Sequence, residues 1–143
     1  MIKFNTTHTS IFLTSFLFLI TLYFLGFNYG WMDDVNQSNF FKGITLNKPI
    51  DHFFTVHILI SKLIKILNQI LPSVQWYAYI LLIGVFIATF NINYFILKNF
   101  EDFTSKKWPG ILAIVFIYIY FWIENVFMLN FSRISILLMG SSL

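Results

Sequence analysis

Residues 30 to 43 read GWMDDVNQSNFFKG, so two adjacent carboxylates, Asp33 and Asp34, follow directly on a long apolar run. Acids at the exit of a membrane helix have the chemistry of a general base, of oxygen ligands for a divalent cation, or of both. In a loop bathed by water they also need no role beyond solubility. Glu124 is rarer, because a carboxylate inside an apolar span is expensive and marks a functional site whose partner must be named. Arg133, nine residues further on, is the natural partner. It either pairs with Glu124 or binds a phosphate through its planar guanidinium; alternatively both side chains snorkel to the membrane surface. His52, beside Asp51, can face the acidic pair across a loop. His57 lies five residues from His52, about 140° round a helix, so the two histidines do not make the i, i+4 zinc pair of a metalloprotease helix.

The elements that must position these groups are those of a membrane protein. Of 143 residues, 58% are hydrophobic and 10% charged, and the mean hydropathy is +0.76, outside the range of soluble domains. The net charge of +3 comes from few groups, with no basic stripe or RNA-binding motif, which argues against nucleic acid as a partner. The absence of cysteine removes disulfides, thiolate metal sites and a Cys nucleophile. No P-loop, Gly-rich nucleotide fingerprint, nucleophile elbow or zinc signature is present, so soluble-enzyme chemistry is disfavoured.

Three spans are expected, at about 9–29, 74–97 and 109–130, each near the 20 residues that cross a hydrocarbon core. The first has the layout of an uncleaved signal anchor, since FNYGWMDD lacks a small-residue cleavage site. Residues 31–52 read as a loop outside the bilayer, with Trp31 at headgroup level. Residues 51–71 are helical by pattern, but Lys62 and Lys65 would sit mid-span. Ser61, Lys62, Lys65, Asn68 and Gln69 instead form a polar stripe, which predicts a helix lying in the membrane interface with Asp51 as N-cap and Pro72 as terminator. Asn91 and Asn93 in the second span read as packing groups that find a partner on a neighbouring helix. Lys98, Lys106 and Lys107 in KNFEDFTSKKW make that connection cytoplasmic by the positive-inside rule. The N-terminus is then cytoplasmic, and Asp33, Asp34 and the interfacial helix lie on the outer side. After Asn130, FSRISILLMGSSL reads as the start of a fourth membrane segment. The fold class is thus all-α: one polytopic membrane domain over 1–143, and the N-terminal part of a larger protein.

The order of features, a first span, the acidic pair in GWMDDVNQSNFFKG, an amphipathic outer helix and then LPSVQWYAYILL opening the second span, resembles the N-terminal region of polytopic GT-C-type membrane glycosyltransferases and their uncharacterised bacterial relatives. The resemblance implies transfer of a sugar from a polyprenyl-phosphate carrier outside the cytoplasm, in cell-envelope assembly at the bacterial inner membrane. It implies that Asp33 or Asp34 is the catalytic carboxylate or a ligand for a divalent cation, Mg or Mn. It further implies that Glu124 and Arg133, with His52, lie where such enzymes hold a second acid or the carrier phosphate. Such enzymes have more spans and later loops that complete the acceptor site, so these residues would be only part of one and inactive alone. Two other readings stand beside it: a transporter or flippase in which Glu124, Arg133 and the span asparagines line a polar path, and a small non-catalytic subunit held by a membrane-protein partner.

Overall fold

The computed structural model describes residues 5–29, 32–44, 58–104 and 107–142, apart from the side chains of Met32, Asp33 and Thr104. Trp31, Asp51, His52, His57 and Lys106 lie outside the described residues.

The described chain is all-α, as the apolar runs predict, with a single pair of two-residue strands. Helix α1 (Thr6–Leu25) starts at Asn5, whose side chain accepts a hydrogen bond from the Thr7 N–H at 3.0 Å, and ends at Gly26 with φ 65°. Strand β1 (Asn28–Tyr29) and helix α2 (Met32–Lys42) follow, then α3 (Ile58–Ile70) and the long α4 (Trp76–Thr104). Helix α5 (Trp108–Phe127) starts with Pro109 in its first turn and contains a π-helical turn at Tyr118–Trp122. Strand β2 (Met128–Leu129) leads into α6 (Phe131–Ser141). Helices α1, α5 and the Trp76–Phe103 part of α4 are long and apolar enough to cross a membrane.

β1 and β2 pair in parallel, Asn28 with Met128 and Tyr29 with Leu129. Helices α1 and α5 therefore run the same way and finish at the same level, while α4 returns between them. That common level, also home to α2 and the start of α4, is called here the α2 end.

In lipid the usual inside-outside contrast disappears, and close packing falls to small and hydrogen-bonding residues. Helix α1 shows this directly. It buries Ser10, Thr14, Phe18 and Thr21 and turns Phe12, Phe16, Tyr23 and Phe24 outward. Asn93 on α4 donates to Thr14 Oγ1 at 2.9 Å, and the Thr21 and Tyr118 hydroxyls meet at 2.8 Å. Asn93 is thus the packing group its position in a span predicts. At the opposite end of the bundle Thr6 bonds to Glu101, which also pairs with Lys107 at 3.5 Å.

Two expectations need correction. Residues 32–42 are not loop but helix α2, whose protein-facing positions 34, 37, 38 and 41 are mostly polar and so give no apolar stripe. Helix α4 runs through the lysine-rich stretch to Thr104 instead of stopping near 97, because nothing in LKNFEDFT breaks a helix. Helix α3 is present over 58–70, as its pattern predicts, and packs through Ser61, Ile64 and Asn68 while Leu59, Leu63 and Ile66 stay exposed. Its apolar stripe points away from the protein, and Asn68 anchors it by donating to the Phe41 carbonyl at 3.2 Å. Residues 131–141, expected to open a fourth membrane segment, form α6 against α4. The crossing is close: a Cβ at Gly84 would meet Ile134 Cγ2 at 2.9 Å.

Candidate functional site around Asp34

Helical spacing sets the site. With about 100° per residue, positions 34, 37, 38 and 41 share one face of α2, and Asp34, Gln37, Ser38 and Phe41 are all buried. That face meets the first turn of α4 and the first turn of α6.

Asp34 is 2% exposed. Its Oδ1 accepts from the Tyr77 hydroxyl at 3.1 Å and from the Phe131 N–H at 3.2 Å; its Oδ2 accepts from Asn130 Nδ2 at 3.2 Å. A carboxylate is costly to bury unless donors surround it, and here they come from two other elements. Asn130 has a second task. Its Oδ1 accepts the Arg133 N–H at 2.9 Å as the N-cap of α6, so one amide joins the start of α6 to the buried acid.

Tyr77 also lies 2.7 Å from Gln37 Oε1. The phenol has one proton, which serves one acceptor at a time; a half-turn of the Gln37 amide lets its NH2 donate to the phenol oxygen while the phenol donates to Asp34. Around this core the Tyr77 ring contacts Phe41 and Tyr29, at centroid distances of 5.7 and 6.0 Å. Tyr29, from β1, donates to Ser38 Oγ at 3.1 Å. Burial, together with the nearby Asp34 charge, pushes its phenol above the ordinary tyrosine value of 10.0, partly offset by the Ser38 hydrogen bond. Tyr29 is therefore a neutral donor.

The donor set bears on the divalent cation implied at the acidic pair. Both Asp34 oxygens already face hydrogen-bond donors, whose positive ends repel a cation, so Asp34 does not fit as a metal ligand in this arrangement. Among the described residues no three His, Asp or Glu side chains come together. Asp33 precedes Asp34 in α2, about 100° round the helix.

Glu124 and Arg133 form an ion pair, Arg133 donating from a guanidinium nitrogen to Glu124 Oε1 at 2.5 Å, with both side chains about half exposed. The pair bridges the last turn of α5 to the first turn of α6, at the same end as Asp34. Of the sequence-derived candidates, the structure brings Asp34 and the Glu124 and Arg133 pair to one end of the bundle, joined through Asn130. His52 lies outside the described residues.

Tyr77, Gln37, Tyr29 and Asn130 are site residues that the sequence reading missed. Tyr77 lies in the WYAY stretch that opens the second span, and Asn130 closes the third. The available signal was the polar i, i+3, i+4 spacing of Asp34, Gln37 and Ser38, together with Asn130 followed by Arg133 in N-cap position. Comparison of this chain with known protein families, with curated proteins and with solved structures finds no match.

Proposed function

We propose that this chain is a GT-C-like membrane glycosyltransferase, or the N-terminal part of one, acting at the outer face of a bacterial inner membrane on a polyprenyl-phosphate-linked sugar. Its N-terminus is then cytoplasmic and the α2 end extracytoplasmic, following the lysines near the α4 to α5 connection. One observation carries the reading: the buried Asp34 ties α2 to α4 and α6 at the end where Glu124 and Arg133 also meet.

In this mechanism the two acids divide the work. Asp34, its oxygens committed to Tyr77, Asn130 and Phe131, is a positioning residue that holds α2 in place. Asp33, on the same helix, takes the proton from the acceptor hydroxyl as that oxygen attacks the anomeric carbon. The bond from that carbon to the phosphate oxygen breaks, its electron pair leaves with the polyprenyl phosphate, and Arg133 balances the phosphate charge.

The transporter reading has less support. Asn93, which would line its polar path, is 1% exposed and bonded to Thr14. The test is lipid-linked glycan assembly in cells carrying Asp33→Asn or Asp34→Asn in the full-length gene. Loss of product with Asp33→Asn is expected, by several orders of magnitude for removal of a general base; full assembly with both variants would overturn the proposal.

A further inference from the structure

At the α2 end there is a cleft of about 540 Å³ that Asp34 does not use, bounded by β1, one flank of α2 and Gln75 just before α4. Its size falls within the range of about 300–1,000 Å³ typical of small-molecule sites. Val35, Ser38, Asn39 and Lys42 line it from α2. These positions recur at i, i+3, i+4 and i+7 and make a stripe beside the buried one. Ser38 belongs to both, and its bond from Tyr29 is a wall shared with the Asp34 cluster. By helical register Asp33 falls on a different flank of α2 from this stripe.

Apart from the Tyr29 and Ser38 hydroxyls, its polar side chains are uncommitted: among the described residues no carboxylate pairs with Lys42, and the amides of Asn28, Asn39 and Gln75 make no hydrogen bond. The other cavities differ in kind. The groove at the opposite end, near Phe12, Trp108 and Ile111, is almost wholly apolar, as is the one lined by Ile92, Phe121 and Leu137.

This lining has a chemical meaning. A carboxamide offers donor and acceptor side by side, which matches the hydroxyls of a sugar ring. Phe27 and Tyr29 add apolar wall for its C–H faces, and Lys42 supplies one fixed positive charge. We propose that the cleft binds an anionic saccharide, a sugar ring bearing a phosphate or carboxylate group. The choice of ligand deepens the transferase reading and rests on it, but the binding itself does not depend on catalysis.

The test is equilibrium binding to the purified chain in lipid nanodiscs, with glucose 1-phosphate, glucuronic acid, glucose and inorganic phosphate as probes. At least one anionic sugar is expected to bind ten-fold or more tightly than glucose. Lys42→Gln should erase that advantage, and Asn39→Ala should weaken both the anionic sugar and glucose. Preference for glucose 1-phosphate would assign the cleft to a sugar phosphate, and preference for glucuronic acid would assign it to a sugar carboxylate. Equal binding of inorganic phosphate and glucose 1-phosphate, unchanged binding in a folded Lys42→Gln variant, or no binding to any sugar would each overturn the proposal. Asp33→Asn should bind the probes normally, so failure of the cleft and failure of the transferase mechanism are read separately.

Discussion

The Tyr77 hydroxyl meets Asp34 Oδ1 at 3.1 Å across 43 residues of sequence, and this bond joins a short polar helix to the first turn of the longest apolar helix. A buried acceptor and a buried donor that satisfy each other are stabilising mainly because either one alone would be penalised. The relationship gives the α2 end its order.

Removing one of Asp34's donors should therefore be felt as instability. Tyr77→Phe is expected to cost about 1–2 kcal/mol, and Asn130→Ala about as much or more, since it also removes the α6 N-cap. Thermal unfolding in detergent micelles measures both, and near-wild-type values would mean that these bonds do not hold the site.

The seam of small polar residues along α1 gives a second expectation. Asn93→Leu and Thr14→Val should each destabilise only modestly, and a double-mutant cycle between them should return a coupling of about 0.6 kcal/mol, at most about 1.7. A coupling indistinguishable from zero would remove Asn93 from the α1 to α4 contact.

Close packing of α6 on α4 depends on the missing side chain at Gly84. Gly84→Val should cost about 1–3 kcal/mol, since its Cβ would press on Ile134 Cγ2. Ile134→Leu, which removes that branch, should recover part of the loss in the double variant. If Gly84→Val is silent, α6 does not lie where it is described.

Tyr29 gives the pH dependence. Its phenol titrates higher in the folded protein than the ordinary 10.0, so the folded state holds this proton more tightly than the unfolded chain does. The stabilisation is complete below pH 10 and is lost as pH rises above 10 toward the folded value, with a limiting slope of about 1.4 kcal/mol per pH unit. Alkaline unfolding of wild type against Tyr29→Phe isolates this contribution: the variant should show the shallower loss.

Much of this architecture was legible before any coordinates. Three long apolar helices follow from apolar length alone, and the pairing of Glu124 with Arg133 was one of the alternatives raised by the cost of a carboxylate in a span. Helix α2 was not legible. Periodicity arguments look for apolar stripes, and the buried stripe of α2 is Asp34, Gln37, Ser38 and Phe41, which reads as loop. The same inversion hid the packing face of α3, where Ser61 and Asn68 turn inward and the isoleucines and leucines outward. Tyr77 and Asn130 were invisible as site residues because their roles depend on the parallel registry of β1 with β2 and on α6 folding back onto α4. No local spacing records contacts between residues some forty to a hundred positions apart.

The central claim is that the buried Asp34 carboxylate holds α2 against α4 and α6. Thermal unfolding of Asp34→Asn in detergent micelles tests it most directly. The substitution places an NH2 among donors and should lose about 1–3 kcal/mol. Unfolding like wild type would contradict the account.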